Sequence, residues 1–148
     1  MLPVKKFLLQ CRRDTIELEI LRQKQNFLRA SLLPKAVQPK DVDVQTSSPG
    51  DAMADRMAAV VDLDQDIDAA ITRLARDHSI ALRVIGAVSS STNRQILEMY
   101  YLDPNCPSWE RIARRIPCSE RQLYRWHGEA LLEAQAEFSK LSENVIRN

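Results

Sequence analysis

The chain has 148 residues, enough for one ordinary domain or for a small domain with an extended part. Its three glycines leave little scope for the tight turns of an all-β fold, so a mostly helical protein is expected. The formal net charge of +1 excludes a histone-like protein that coats nucleic acid without sequence preference, and confines any affinity for DNA to a local surface.

The three cysteines, Cys11, Cys106 and Cys118, form no C-x-x-C pair and have no histidines at metal-ligand spacing, so we expect free thiols. Arg12 and Arg13 interrupt the apolar N-terminal run long before the ~20 residues that span a bilayer. We therefore predict a cytoplasmic protein without a membrane segment. No nucleophile set, phosphate-binding loop or metal cluster is recognisable, so an enzyme is the least expected class and no cofactor is predicted.

A first amphipathic helix is predicted from about Val4 to Leu33, because apolar residues recur there at spacings of three and four. Thr15 and Gln25 interrupt this apolar seam, and basic residues outnumber acidic ones. Pro34–Gly50, rich in proline and serine, is predicted to be a mobile linker.

A second helix is predicted from Ala52 to about Val88, with Asp51 as its N-cap, and its unbroken apolar seam requires a helical partner.

The acidic centre of this helix carries aspartates at every second position, namely Asp62, Asp64, Asp66 and Asp68. Ile67 and Arg73 stand where an EF-hand calcium loop needs glycine and glutamate, which excludes that site. Aspartates four residues apart repel each other, which favours a nearby cation. The basic first helix, of the same chain or of a second subunit, is the candidate, and simple solvation is the alternative.

The segment Ser89–Thr92 is predicted to break the second helix, and Thr92 with Gln95 has the spacing of a capping box. A third helix is expected from Asn93 to Leu102, before a turn with two prolines. His78 on the seam and His127 in the last helix are interpreted as packed, hydrogen-bonded residues.

The segment Ser108–Leu131 is predicted to form two helices joined by a tight turn, with Ser108 as the N-cap of the first. The first has an apolar stripe that consists of Trp109, Ile112, Ala113 and Ile116. Pro117 and Cys118 end it, and the capping box Ser119–Gln122 begins the second. The buried stripe of this second helix is expected to contain Leu123, Trp126, His127, Ala130, Ala134 and Phe138.

Arg121, Arg125, Gly128 and Leu132 lie almost opposite that stripe at 100° per residue. From Ser108 to Gly128 there are five arginines and two glutamates, so the basic charge is local. This geometry is that of a helix-turn-helix, whose second helix lies in the DNA major groove. The predicted base-reading residues are Arg121, Gln122 and Arg125, because arginine pairs with guanine and glutamine with adenine.

The amides that follow Ser119, together with Arg111 and Arg114, are predicted to bind phosphates, since a helix N-terminus attracts anions. Tyr124 and Gly128 complete the predicted DNA-binding set. The alternative is a helical hairpin whose arginines are merely solvated.

The pattern S-W-E-x-I-A-x-x-I-x-x-S-E-R-Q-L-Y-R-x-H-G-x-A-L resembles the C-terminal helix-turn-helix of phage late-gene transcriptional activators of the ArpU/RinA type, which are similar to region 4 of sigma factors. The resemblance covers about Arg94 to Leu131. Pro117 and Trp126 depart from it, standing where that pattern commonly has a glycine and a smaller aliphatic residue. The resemblance implies binding of double-stranded DNA near promoters and contact with RNA polymerase.

The predicted architecture is all-α, with a helical hairpin or coiled coil for oligomerisation over residues 1–89 and a helix-turn-helix domain over residues 90–148. We expect a transcription activator that binds DNA as a homodimer or higher oligomer. Two alternatives remain at this point: a DNA-recognition subunit for phage packaging, of the small-terminase kind, and a structural protein-interaction module.

Overall fold

The computed structural model describes residues 1–33 and 49–147, apart from the side chain of Pro49. Within these residues the chain forms five α-helices: α1 Pro3–Leu32, α2 Pro49–Gly86, α3 Ser91–Leu97, α4 Trp109–Arg115 and α5 Glu120–Ile146. A π-helical segment, Glu98–Leu102, continues α3. No strand occurs in the described part of the chain, so the all-α prediction is confirmed. Residues 34–48, most of the predicted linker, lie outside the described residues.

Helix α2 begins inside the predicted linker, at Pro49. Proline suits the first position of a helix, because its missing N–H would be unpaired there and its fixed φ fits the helix. Gly50 is therefore helical, and Asp51 lies in the first turn. The predicted N-cap at Asp51 is wrong, although the carboxylate still interacts favourably there with the positive end of the helix dipole.

The start of α3 also differs from the prediction. Ser90, in an extended conformation, is the N-cap, and its Oγ accepts a hydrogen bond from the backbone N–H of Asn93 at 3.3 Å. The Arg94 guanidinium donates to the carbonyls of Val88 and Ser89 at 2.6 and 3.1 Å. These bonds close the turn early, so the helix begins before Thr92 and the capping box predicted there does not form.

The described chain divides into two compact units, and the smaller one is Leu18–Ile71. It contains the second half of α1 and the first half of α2, which run antiparallel. Val60, Ile67 and Ala70 are buried between them. The Arg29 guanidinium lies 3.2 Å from the Asp64 carboxylate, and the Gln25 amide donates to the same carboxylate. The prediction that the basic first helix supplies a cation to the aspartates is thus confirmed within one chain for Asp64.

The larger unit comprises Met1–Glu17 and Thr72–Asn148. Its main core is formed mostly by α1, α2 and α5, and α3 and the segment after it also contribute. Its buried residues are Val4, Leu8, Cys11, Ala81, Val84, Ile85, Val88, Leu97, Tyr101, Ala130, Leu131 and Ala134. Burial and the nearby carboxylates raise the pKa of the Cys11 thiol to about 12, so it stays protonated and packs as a small apolar group. The predicted domain division between residues 89 and 90 falls inside this unit.

Two polar seam residues of this unit behave differently from one another. Thr15 is buried, and its hydroxyl donates to the carbonyl of Cys11 at 2.9 Å. His78 is half-buried, but its Nε2 has no hydrogen-bond partner among the described residues. The packing predicted for His78 is confirmed, whereas the predicted hydrogen bond is not formed at this nitrogen. Burial lowers the pKa of His78, which favours the neutral ring.

Candidate nucleic-acid interface

Helices α4 and α5 are joined by a turn of four residues, 116–119, and pack on α3 through a second, smaller core. Ile96 of α3, Ile112 of α4 and Leu123 of α5 are fully buried in it. Ser108 and Ser119 are the N-caps of α4 and α5, and the Oγ of each accepts from the backbone N–H three residues later. Both helix starts lie where local spacing predicts them. The caps and the shared core fix the direction in which α5 leaves the turn.

The two faces of α5 separate as predicted. The residues of the expected inner stripe are buried or half-buried: Leu123, Trp126, His127, Ala130, Ala134 and Phe138. The opposite face is exposed, and it carries Arg121, Arg125, Gly128 and Leu132. A Cβ added at Gly128 would meet nothing within 4 Å, so the helix backbone is open to an approaching surface there.

The predicted DNA-binding residues lie on α4, on α5 and in the turn between them. Seven of them are exposed, namely Arg111, Arg114, Ser119, Arg121, Tyr124, Arg125 and Gly128. Gln122 is half-buried, so it offers less of its amide than the prediction assumed. The hydroxyl of Ser119 caps the amide of Gln122, which leaves the amides of Glu120 and Arg121 in the first turn of α5 as the groups that can attract an anion.

The arginines of this surface differ in their present partners. Arg125 pairs with Glu129 at 3.1 Å and Arg114 pairs with Glu110, each one turn away on the same helix. Arg111 and Arg121 have no ion pair within the described part of the chain. Exposed pairs of this kind contribute at most about 1 kcal/mol, so both carboxylates can be exchanged for a stronger anion.

A polar groove of about 420 Å³ lies beside α4, lined by Asp103, Asn105, Pro107, Arg111, Arg114 and Arg115. Arg115, which the sequence analysis did not assign, lies 3.6 Å from the Asp103 carboxylate. Two consecutive arginines, Arg114 and Arg115, are the sequence signal that could have added Arg115 to the predicted DNA-binding residues. Three arginines around one aspartate leave the groove with a positive balance, as a phosphate-binding surface requires.

Arg12 of α1 holds the loop that leads into α4. Its guanidinium donates to the carbonyls of Cys106 and Pro107 at 2.9 and 3.2 Å, and also to that of Tyr100. It lies 4.2 Å above the Tyr100 ring as well, which adds a cation–π contact. Sequence reasoning missed this role, because the partners of Arg12 lie 88 to 95 residues away and leave no local pattern.

A cluster of aromatic side chains lies beneath α4 and the first turns of α5. Tyr100 stacks on Trp109 with ring centroids 3.9 Å apart, and His127 meets the edge of Trp109 at 4.7 Å. The Tyr101 hydroxyl and His127 Nε2 share a buried hydrogen bond of 2.8 Å. The packing and hydrogen bonding predicted for His127 are therefore confirmed.

The pKa values in this cluster follow from its burial. Burial, and secondarily the positive charge of Lys5, lowers the pKa of His127 to about 4, so the ring is neutral at pH 7. Burial likewise raises the pKa of Tyr101. Tyr124 lies at the margin, where its ring is 5.5 Å from Trp109 and about half of the side chain is exposed. Its phenol is thus accessible as a hydrogen-bonding group.

Comparison of the chain with protein-family models, with curated proteins and with solved structures finds no match. None of the described helices combines the length and apolar character needed to cross a membrane. The described residues also contain no group of three or more histidine, cysteine, aspartate or glutamate side chains that could hold a metal ion.

Proposed function

We propose that α4 and α5 act as a helix-turn-helix and that the protein is a sequence-specific, double-stranded DNA-binding regulator of transcription. The observation that carries the proposal is the exposed face of α5, where Arg121, Arg125 and Gly128 follow a well-capped helix start. Arginines near the N-terminus of a recognition helix reach base edges when that helix lies in the major groove. An open glycine on the same face permits close approach of the duplex.

The role of each arginine on this surface is inferred from the ion pairs that it makes in the structure. Arg121 has no ion pair to break within the described residues, which suits bidentate contact with guanine. Arg125 would exchange Glu129 for a base or a phosphate, at a small cost. Arg111, Arg114 and Arg115 line the groove beside α4 and are assigned to phosphates, which set the register without reading sequence.

Regulation of transcription, rather than another use of DNA binding, rests on the sequence resemblance to phage late-gene activators. That resemblance also supplies the proposed contact with RNA polymerase. Both parts are tested by transcription from the promoter beside the bound site, in the presence and absence of the protein.

The proposal is tested by fluorescence anisotropy with random duplex DNA and with DNA from upstream of the protein's own coding sequence, over a salt series. We expect the logarithm of the binding constant to fall linearly with the logarithm of salt concentration. Arg121→Ala should weaken binding to the preferred sequence about 5- to 150-fold, which corresponds to about 1–3 kcal/mol, and binding to random DNA much less.

Arg76→Ala is the matched control, because Arg76 is 73% exposed beside one acidic partner, as Arg125 is at 74%, but lies on α2. It should bind DNA like the parent. Equal binding by the parent, Arg121→Ala and Arg125→Ala at every salt concentration would refute the assignment of this surface.

A further inference from the structure

A groove with an apolar floor lies between α1 and α2 in the unit Leu18–Ile71, and we name it the hairpin groove. It encloses about 780 Å³, and its apolar lining includes Ile20, Phe27, Leu28 and Leu63. The Phe27 side chain is 75% exposed, which leaves a large aromatic surface in water. A concentration of exposed apolar surface of this kind marks an interaction site more often than a free surface.

The two rims of the hairpin groove carry opposite charges. Lys24 lies on the α1 rim, and Asp62 and Asp66 lie on the α2 rim. None of these three has an ion pair in the described part of the chain. Asp64, between the two aspartates, is already paired with Arg29. The unpaired rim charges therefore remain available to a partner whose charges are arranged in the complementary way.

The register of the two helices fixes where these charges lie. The hydrogen bond between Gln25 and Asp64 places these residues at the same level of the antiparallel pair. At 1.5 Å per residue, Asp62 and Asp66 lie about 3 Å to either side of that level. Lys24 is adjacent to Gln25, so it stands across the groove from the gap between the two aspartates.

We propose that the hairpin groove is the homodimer interface, with the two-fold axis parallel to the helices. This axis places α1 of one copy over α2 of the other, so that each Lys24 reaches the other copy's Asp62 and Asp66. Phe27 of each copy enters the other's groove. A two-fold axis across the helices would instead place Lys24 against Lys24, which is repulsive.

The resulting assembly is a four-helix bundle in which neighbouring helices are antiparallel and the same patch is used twice. The proposed DNA-binding function does not require this interface. Dimerisation is measured without DNA, so failure of either proposal is distinguishable from failure of the other.

The apolar part of the interface is tested by sedimentation equilibrium of the full chain. Phe27→Ser should raise the dimer dissociation constant about tenfold or more, because a central aromatic side chain dominates such an interface. Val145→Ser is the control, since Val145 is 78% exposed but lies outside the groove. Circular dichroism verifies that each variant keeps its helix content.

The charges are tested by reversal on each rim separately. Lys24→Glu alone, and Asp62→Lys with Asp66→Lys, should each weaken dimerisation, because like charges then face each other at both symmetry-related contacts. An equimolar mixture of these two variants should form a heterodimer about as tight as the parent dimer, because both crossings are again attractive. A monomeric parent at all concentrations, a dimer insensitive to Phe27→Ser, or a mixture that stays monomeric would each overturn the proposal.

Discussion

Single residues in this protein differ in how far their partners lie along the chain, and this decides which of them the sequence reveals. Ser108 and Ser119 cap helices through amides three residues away, so spacing alone predicts them. Thr92 has equally good spacing, yet Ser90 is the cap. The difference comes from Arg94, which binds two carbonyls before the helix and closes the turn earlier. The hydrogen-bond partners that the described residues offer to the Arg12 guanidinium lie 88 to 95 positions away, and no local pattern points to it.

Replacing Arg12 tests its role in positioning α4. We expect Arg12→Ala to lower the free energy of unfolding by about 2 kcal/mol, because three carbonyls lose a charged donor. DNA affinity should fall as well, since the loop that orients α4 is released. The control is Arg13→Ala, because Arg13 is exposed and, among the residues that the structure describes, bonds only the Gln10 side chain. Urea unfolding that is equally unaffected in both variants would contradict this role.

The buried histidine predicts a pH dependence of stability. The pKa of His127 is about 4 in the folded protein and near 6.5 when unfolded, so the unfolded chain binds the extra proton between these values. Stability should be fully present above about pH 6.5 and fall as the pH decreases to 4, by as much as about 3 kcal/mol.

Other groups of the protein also change protonation with pH, so the measurement is a difference between two proteins. His127→Gln removes the titrating ring, and the parent should exceed this variant in stability by more at pH 7 than at pH 4. Urea midpoints that separate by the same amount at both pH values would show that His127 does not contribute.

At the scale of elements, the helices and their buried faces follow from the sequence, whereas their exact starts do so only in part. Periodicity predicts α1, α4 and the inner stripe of α5, because apolar spacing reports directly which face is covered. The predicted start of α2 is too late, because Pro49 ends a stretch whose prolines indicate a linker, whereas proline is also favoured in the first turn of a helix. The charge pattern predicts the exposed face of α5, but it does not reveal that Gln122 is half-buried.

A substitution at Gly128 should change the stability of α5 and its proposed DNA affinity in opposite directions. Gly128→Ala should raise the free energy of unfolding by about 1 kcal/mol, because a Cβ fits in open space and alanine favours helix. DNA affinity should fall if the duplex approaches this backbone. Gly86→Ala is the matched control, since a Cβ there also meets nothing within 4 Å. If Gly128→Ala retained full DNA affinity, close approach at this position would be excluded.

For the whole molecule, the two compact units share both long helices, and sequence periodicity does not show where a long helix changes partners. Met1–Glu17 belongs to the larger unit because Val4, Leu8 and Cys11 complete the core around α5. That pairing depends on which apolar surfaces match in shape, and spacing along one helix carries no information about shape.

Leu8→Ala tests whether the start of α1 is part of the same cooperative unit as α5. Leu8 is fully buried, so we expect a loss of about 2–5 kcal/mol and a matching loss of the folded DNA-binding surface. Leu33→Ala, at a side chain that is 68% exposed, should change the free energy of unfolding by less than about 0.5 kcal/mol. Thermal unfolding, monitored by circular dichroism, measures the stability of both variants. An unchanged midpoint for Leu8→Ala would indicate that α1 is dispensable.

The acceptors that Arg12 uses are carbonyl oxygens of the main chain, and every amino acid provides one. Side-chain identity at positions 106 and 107 therefore affects these hydrogen bonds only through the path of the backbone, which has a positive φ of 45° at Cys106. Position 12, in contrast, accepts only a side chain with a forked, permanently charged donor.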